Sequence, residues 1–438
     1  MKKSKWIVVF ILIVIITIRF FMWPKDDETL RKLSIQKVTL SVQIIEEPDS
    51  VKDSQRFIAK TEDGNLIQVS TKYFFSPLKY GDNLKVEGRL QKITDSYGNY
   101  MRVRKVFYQM KNPKIEFINN SIPSRFKLAL ITIKNFCIQR INSLLPQPQS
   151  FLASGLILTG KGSLDADLQN EFKRVGLIHI VVLSGFNVSI VAVVVMALLG
   201  FLPPIVRFVI GMFFMTCFCL MVGGGASVMR SLFMNAIAIY GKTMQFKYDP
   251  LKGLFIAGLI MMVFNPMLLF FDPSFQMSFM ATLGLIVLSE KISKRLSFLP
   301  EKFGIKETIS ATLGTQIAVT PLIMHFSGIV SLISLFTNIV VLPFIPFTMF
   351  FVVVAMLISF VSISIAQVFS FVSYVLLTYE LWIVHVSASL PFAAIEFSTW
   401  SWKQTLICYF IMAIVYFCVT QTKTSPEKKD VSAVKPIF

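Results

Sequence analysis

Polar side chains recur on one side of several otherwise apolar runs, and these are the residues able to do chemistry. Set out at about 100° per residue, the run 226–241 places Ser227, Arg230, Ser231, Asn235, Ala238, Gly241 and Lys242 on one side. Val228, Met229, Leu232, Phe233, Ala236, Ile237 and Tyr240 occupy the other. In 306–324, Thr308, Thr312, Thr315 and Gln316 line up, and in 329–342 so do Ser331, Ser334 and Asn338. In 273–290, Ser274, Ser278, Thr282 and Ser289 form a small-residue stripe, with Gln276 opposite. One such stripe fits close helix packing, because small and hydroxyl residues are common at helix interfaces in membranes. Four of them, one carrying Arg230, point to a polar-lined path. An arginine inside a span costs at least ~2.5 kcal/mol on insertion scales, so it has to face a partner or a wet cavity.

The run 178–200 adds a different signal. It follows Gly176-Leu-Ile-His179 and passes through Ser184-Gly185-Phe186-Asn187. Ser184-Gly185 in mid-run invites a helix break, as at binding sites built from discontinuous helices. His179 and Ser184 are five apart, about 140° around one helix, so they form no catalytic pair there. Gly241-Lys242-Thr243 resembles the end of a phosphate-binding loop, but position 236 is alanine and an apolar helix precedes it where a strand should stand. His179, His325 and His385 are scattered, and Cys137, Cys217, Cys219, Cys408 and Cys418 show no CxxC spacing. No catalytic group, metal site, disulfide framework or cofactor is expected from these patterns; the chain reads as a non-enzyme.

The elements that must hold these residues follow from composition. Hydrophobic residues make up 54% of the 438 positions and charged ones only 16%, against roughly a quarter in soluble domains. The charges gather in 25–120, whereas 178–420 holds repeated apolar runs near the ~20 residues that span a bilayer. Positions 6–23 follow three lysines, carry no A-x-A-like cleavage site and run into Pro24, which suits a retained anchor (1–24). Within 25–120, the runs 37–46, 55–61, 65–71, 83–92 and 100–110 read as strands separated by turn chemistry. Five short strands fit a small OB-like barrel or a generic barrel without a ligand. The last carries Arg102, Arg104 and Lys105 beside Tyr100, Phe107 and Tyr108, a mixture suited to single-stranded nucleic acid. In 121–176, Phe126, Leu130, Ile133, Cys137, Ile141 and Leu144 recur at helical spacing, as on an interfacial helix. A water-facing helix follows at 165–175 with Ser163 as its expected N-cap.

Spans are expected at 178–200, 204–222, 226–241, 251–271, 273–290, 306–324, 329–358, 366–386 and 403–421, within a membrane domain of 177–421. With the anchor this makes about ten, so both termini, including the tail 422–438, fall on the same side. The expected fold is a polytopic α-helical membrane protein with a small extracytoplasmic all-β, OB-like domain after the first span. Basic residues at 242–252, 291–306 and 423–429 mark the cytoplasmic side. Pro343 and Pro346 interrupt 329–358, where a re-entrant element is an alternative to a single span. The net charge of +18 fits that positive-inside bias as well as attraction of a polyanion.

These residues also resemble a known family. Residues 155–160 (GLILTG) and 172–187 (FKRVGLIHIVVLSGFN) are similar to the start of the ComEC competence domain. So are 225–231 (GASVMRS), 272–279 (DPSFQMSF), and 316–321 with 334–343; the matches run in the family's order over about 150–345, after an OB-like domain. The resemblance implies passage of single-stranded DNA through the cytoplasmic membrane in natural transformation. It also implies a separate DNA receptor outside and a motor ATPase inside. His179, Ser184, Gly185, Asn187, Ser227, Arg230, Asn235, Gln276, Ser278, Thr315, Gln316 and Asn338 are then the expected lining of the path through the bilayer. Two departures stand out. Where the family commonly shows Ser-Gly-Leu-His, this chain has Ser-Gly-Phe-Asn at 184–187. Many members also carry a C-terminal metallo-β-lactamase-like domain, whereas this sequence ends at Phe438, so any strand-degrading nuclease is expected to be another protein or absent. The alternatives are a carrier for a small anionic or lipid-linked substrate and a membrane scaffold without transport. Oligomeric state is not legible in the sequence.

Overall fold

The protein is described from a computed structural model, covering all residues except 1, 25–27, 35–36, 52–53, 73–77, 95, 122, 159–164, 182–183, 299–303, 398–399 and 422–438. Helix α1 (Lys2–Phe21) leads into α2 (Glu28–Leu33) and a barrel of β1 (Lys37–Ile44), β2 (Asp49–Val51), β3 (Ser54–Thr61), β4 (Leu66–Lys72), β5 (Asp82–Lys92), α3 (Ser96–Val103), β6 (Val106–Lys111) and β7 (Lys114–Asn120). Period-two burial closes it: Val42 and Ile44, Ile67 and Val69, Leu84, Val86 and Leu90, and Tyr108 and Met110 face one core. β1 pairs antiparallel with β3 and β5, β3 antiparallel with β4, β4 parallel with β6, and β6 antiparallel with β5. The five strands thus return to β1 as an OB-like barrel. β2 and β7 are added at its margins, and Leu30 of α2 packs into its core.

One expected strand is corrected. The stretch 100–110 is divided between α3 and β6, with Lys105 at φ 60° in the turn between them. Tyr97, Tyr100 and Met101 stand at i, i+3 and i+4, and Met101 is buried; that helical spacing outweighs the β-favouring residue types. β7 was not among the expected strands; most of its length is exposed and only Ile115 of it is buried.

The remaining helices are α4 (Arg125–Leu144), α5 (Gln149–Ile157), α6 (Ala166–Arg174), α7 (Ile178–Val181), α8 (Gly185–Leu198), α9 (Pro204–Met221), α10 (Ala226–Thr243) and α11 (Pro250–Phe264). They continue as α12 (Leu268–Phe271), α13 (Pro273–Val287), α14 (Ser289–Arg295) and α15 (Ile305–Phe326). The chain ends with β8 (Ile329–Ser331), α16 (Ser334–Val341), α17 (Ile345–Ile358), α18 (Ile363–Ala388), β9 (Ala394–Glu396) and α19 (Trp402–Gln421). Asp165 caps α6 by accepting from Ala166 N, where Ser163 had been expected; Ser163 lies outside the described residues, as do the tail basic residues. The expected break before Gly185 is present, with Ser184 as the N-cap of α8. At the expected proline break, α16 and α17 bend by 45°.

Four described helical stretches are long and apolar enough to cross a membrane, five with the α16–α17 pair. The count of about ten is therefore not reached by length and composition. The run 251–271 is divided because Asn265 caps α11 and Pro266 cannot continue it. α8 is shortened by its break, and the polar face of α10 lowers its hydropathy. Exposed phenylalanines such as Phe201, Phe264, Phe371 and Phe410 cover the outer wall of the bundle, as a lipid-facing surface requires. Inside, α13 and α15 cross closely: a Cβ on Gly284 would overlap Gly314 O and stand 2.5 Å from Ala318 Cβ. Such small-residue crossings pack membrane helices by van der Waals contact.

The barrel is seated on this bundle. Trp23, Val103 and Met267 form a small apolar core. Trp23 Nε1 donates to Arg102 O at 3.2 Å, and Asn265 Nδ2 to Val103 O at 2.9 Å.

Candidate functional site

Three helices converge on Arg230. It stands on α10, only 8% exposed. Its Nε donates to Ser278 Oγ at 2.8 Å and its Nη1 to Thr282 Oγ1, both on α13. Ser278 Oγ donates in turn to Ser227 Oγ at 3.1 Å. From the third side comes α8, whose first residue, Gly185, lies so close to Arg230 Nη2 and Ser231 Oγ that a Cβ would overlap both. Asn235 Nδ2 donates to Ser189 Oγ at 3.2 Å and holds α10 to α8 one turn further on. The stripes on 226–241 and 273–290 thus face each other because their small hydroxyl residues let the helices approach and supply acceptors for the guanidinium.

The electrostatics of this cluster are unbalanced. Among the described residues no carboxylate lies within 4.0 Å of Arg230, and its Nη2 makes no hydrogen bond. The guanidinium also abuts the N-terminal end of α8, which carries a partial positive charge from its unpaired N–H groups. Neutral hydroxyls satisfy some of the donors without cancelling the charge.

A second polar seam joins α15 and α16. Gln316 Nε2 donates to Ser334 Oγ, which donates to Ser331 O at 3.2 Å. Thr337 Oγ1 donates to Val175 O at 2.8 Å. Gly176, at φ 77°, lets the turn after α6 press against Ser334, where a side chain would collide. Asn338 is buried in this seam with no partner for Oδ1.

Five expected lining residues lie apart from both clusters: Ser184 caps α8, its Oγ accepting from Asn187 N and donating to Asn187 Oδ1 at 3.1 Å, and the other four are held elsewhere. Asn187 is fully buried, and its Nδ2 donates to Leu156 O at 3.0 Å and Ile180 O at 3.2 Å. It ties α8 to α5 and α7. Asn187→Ala is expected to leave both carbonyls without a donor and to cost about 1–3 kcal/mol, read as a lower melting temperature of the purified protein. His179 is exposed, with Nδ1 3.0 Å from Gly176 O. Gln276 Nε2 donates to Leu269 O at 2.8 Å. Thr315 Oγ1 donates to Ala311 O and Thr312 O, each at 2.9 Å, within its own helix.

The four outer-domain residues lie near the seam between barrel and bundle, on α3 and the turn after it. Arg104 Nη1 pairs with Glu46 at 3.0 Å and lies over the Tyr100 ring. Lys105 lies over Trp23 with 4.9 Å to the ring centre, and Arg102 supplies the carbonyl that Trp23 binds. Burial pushes the Tyr100 phenol up, so it stays neutral.

One polar cluster went unread in the sequence. In α18, Glu380 accepts from Thr348 Oγ1 at 2.5 Å, and Gln149 Nε2 reaches Thr378 Oγ1 at 3.0 Å. A lone acid within the run 366–386 was the available signal. Among the described residues no group of three His, Cys, Asp or Glu could hold a metal. A gap lined by Ile141, Leu144, Leu145, Val352, Ala355 and Ser370 is too tight for a water molecule.

Comparison with known proteins places these residues in context. The family model described as "Competence protein" matches residues 156–422, a stretch that contains both polar seams. The chain is similar to ComE operon protein 3 of Bacillus subtilis (strain 168), 22% identical over 254 residues. That match covers 57% of this chain and 31% of the relative's length. No solved structure matches.

Proposed function

Because the chain belongs to the competence protein family, we propose that it forms the path by which single-stranded DNA crosses the cytoplasmic membrane in natural transformation. The observation that carries this is Arg230: a buried cation in a membrane protein, held by hydroxyls, beside a helix N-terminus and without a carboxylate. A phosphodiester supplies the missing negative charge. The hydroxyls of Ser227, Ser278 and Thr282 bind weakly enough to let a polyanion move on. Gln316, Ser334 and Asn338 extend the polar groups along the second seam, and Tyr100, Arg102, Arg104 and Lys105 stand where a strand would pass from barrel to bundle. Arg230 is only 8% exposed, so passage requires the helices to part or several copies to share a bore. A separate receptor delivers the strand from outside, and a separate ATPase draws it inward.

The test is uptake of labelled DNA by cells lacking and regaining the chain. Label that stays outside without it, and enters when it is restored, supports the proposal; entry without it refutes the proposal. A buried cation held by hydroxyls also suits a carrier for a small anion, which a flux assay with reconstituted protein and inorganic phosphate separates from a DNA path.

In the proposed orientation the barrel is extracytoplasmic, with about ten spans and both termini inside. Asp63→Cys, in a barrel turn, is expected to react with a membrane-impermeant thiol reagent in intact cells of a strain whose native cysteines are replaced. Lys294→Cys, at the end of α14, is expected to react only after lysis. The opposite pattern inverts the topology.

A further inference from the structure

A carboxylic acid lies in the bundle outside the arginine cradle. Glu380 is 1% exposed. Its Oε1 accepts one hydrogen bond, from Thr348 of α17, and its Oε2 has no partner. Three of the elements packed against α18, namely α5, α16 and α17, contain no Asp, Glu, Lys, Arg or His. On α4, Lys134 pairs with Glu47, Lys127 donates to Ile45 O, Arg140 lies over Phe136 and Phe360, and Arg125 is exposed. On α6, Glu171 pairs with His385 and Arg174 reaches Leu390 O, while Asp167 is exposed and Lys173 makes no pair with Glu380. On α18 itself, Tyr379 donates to Val340 O. No described cation offsets a charge on Glu380.

A buried carboxylate with one hydrogen bond and no counter-ion is strongly disfavoured, and the neutral acid is the form this site accommodates. The acid is also placed where a conformational change would reach it. Thr348 follows closely on the break at which α16 and α17 bend by 45°. Swinging α17 about that break would withdraw the Thr348 hydroxyl and admit water to the carboxyl.

We propose that Glu380 is a proton-binding site, loaded while α17 lies against α18 and emptied when the α16–α17 break flexes, and, resting on the DNA path proposed above, that this cycle is coupled to uptake. The step is the dissociation of the carboxylic O–H: the proton passes to entering water, and the electron pair stays on the carboxylate. Closure of the helices then requires a proton to be taken back.

The test is infrared difference spectroscopy on the full-length protein in detergent, wild type against Glu380→Gln. A protonated-carboxyl C=O band at neutral pH, absent from the variant, is expected. A difference spectrum showing only ionised-carboxylate bands overturns the proposal. Glu380→Asp provides the same assignment through a shifted band should the glutamine variant fail to fold. Transport supplies the second arm: Glu380→Gln is expected to keep wild-type thermal stability and lose uptake of labelled DNA, and Glu380→Asp to retain part of it. Normal uptake by Glu380→Gln overturns the coupling. The infrared arm is independent of DNA, so a band in a protein that never moves DNA counts against the channel and leaves the proton site standing.

Discussion

Cells carrying Arg230→Gln are expected to take up no labelled DNA above background while holding normal amounts of correctly inserted protein. The cradle explains why function and stability separate here. Glutamine retains hydrogen bonding toward Ser278 and Thr282 but removes a charge that no described carboxylate balances. An unbalanced arginine in a span costs at least ~2.5 kcal/mol on insertion scales, so its removal leaves stability unchanged or raises it by up to ~2 kcal/mol. Arg230→Lys should keep part of the uptake, because a phosphate also accepts a point charge, though without the planar fork. Had Arg230 served only to knit the bundle, both variants would lower the yield of folded protein. Normal uptake by Arg230→Gln at normal expression would remove this residue from the path.

The second large effect is structural. Gly284→Val is expected to destabilise the bundle by about 2–3 kcal/mol or to prevent its recovery altogether. The added carbons would meet Gly314 O and Ala318 Cβ, and a backbone carbonyl cannot rotate aside as a flexible side chain does. The α13–α15 crossing would have to open, separating the two helices that carry Ser278 and Gln316. Thermal unfolding in detergent measures the change; a melting temperature equal to wild type would show that the crossing is looser than described. Gly314→Val tests the same contact from the other side.

Much of the barrel was legible because strand burial has a period of two, and four of its five expected strands appear close to their expected places. The fifth misled because aromatic and β-branched residue types were weighed above the spacing of Tyr97, Tyr100 and Met101. Within the membrane region, helix periodicity identified the faces of α10 and α13 that meet around Arg230, since a stripe on one helix implies something polar opposite. Periodicity says nothing about which helix lies opposite, so Asn187 was expected in the path although its amide is spent on the carbonyls of Leu156 and Ile180. Glu380 escaped because a single acid makes no stripe. The count of about ten spans is not matched by helix length and composition for a related reason: hydropathy averages over breaks such as Asn265-Pro266, which the backbone cannot average over.

The seat of the barrel has a mechanical consequence. The backbone of α3 is bonded to Trp23 and Asn265, and a few residues beyond Asn265 the Asp272 carboxylate accepts from Ser274 N at 2.7 Å and Phe275 N at 3.2 Å. That cap begins α13, which grips the guanidinium through Ser278 and Thr282. A force on the barrel would therefore load α13 at its end, as a lever loads its pivot, close to the side chains that hold Arg230.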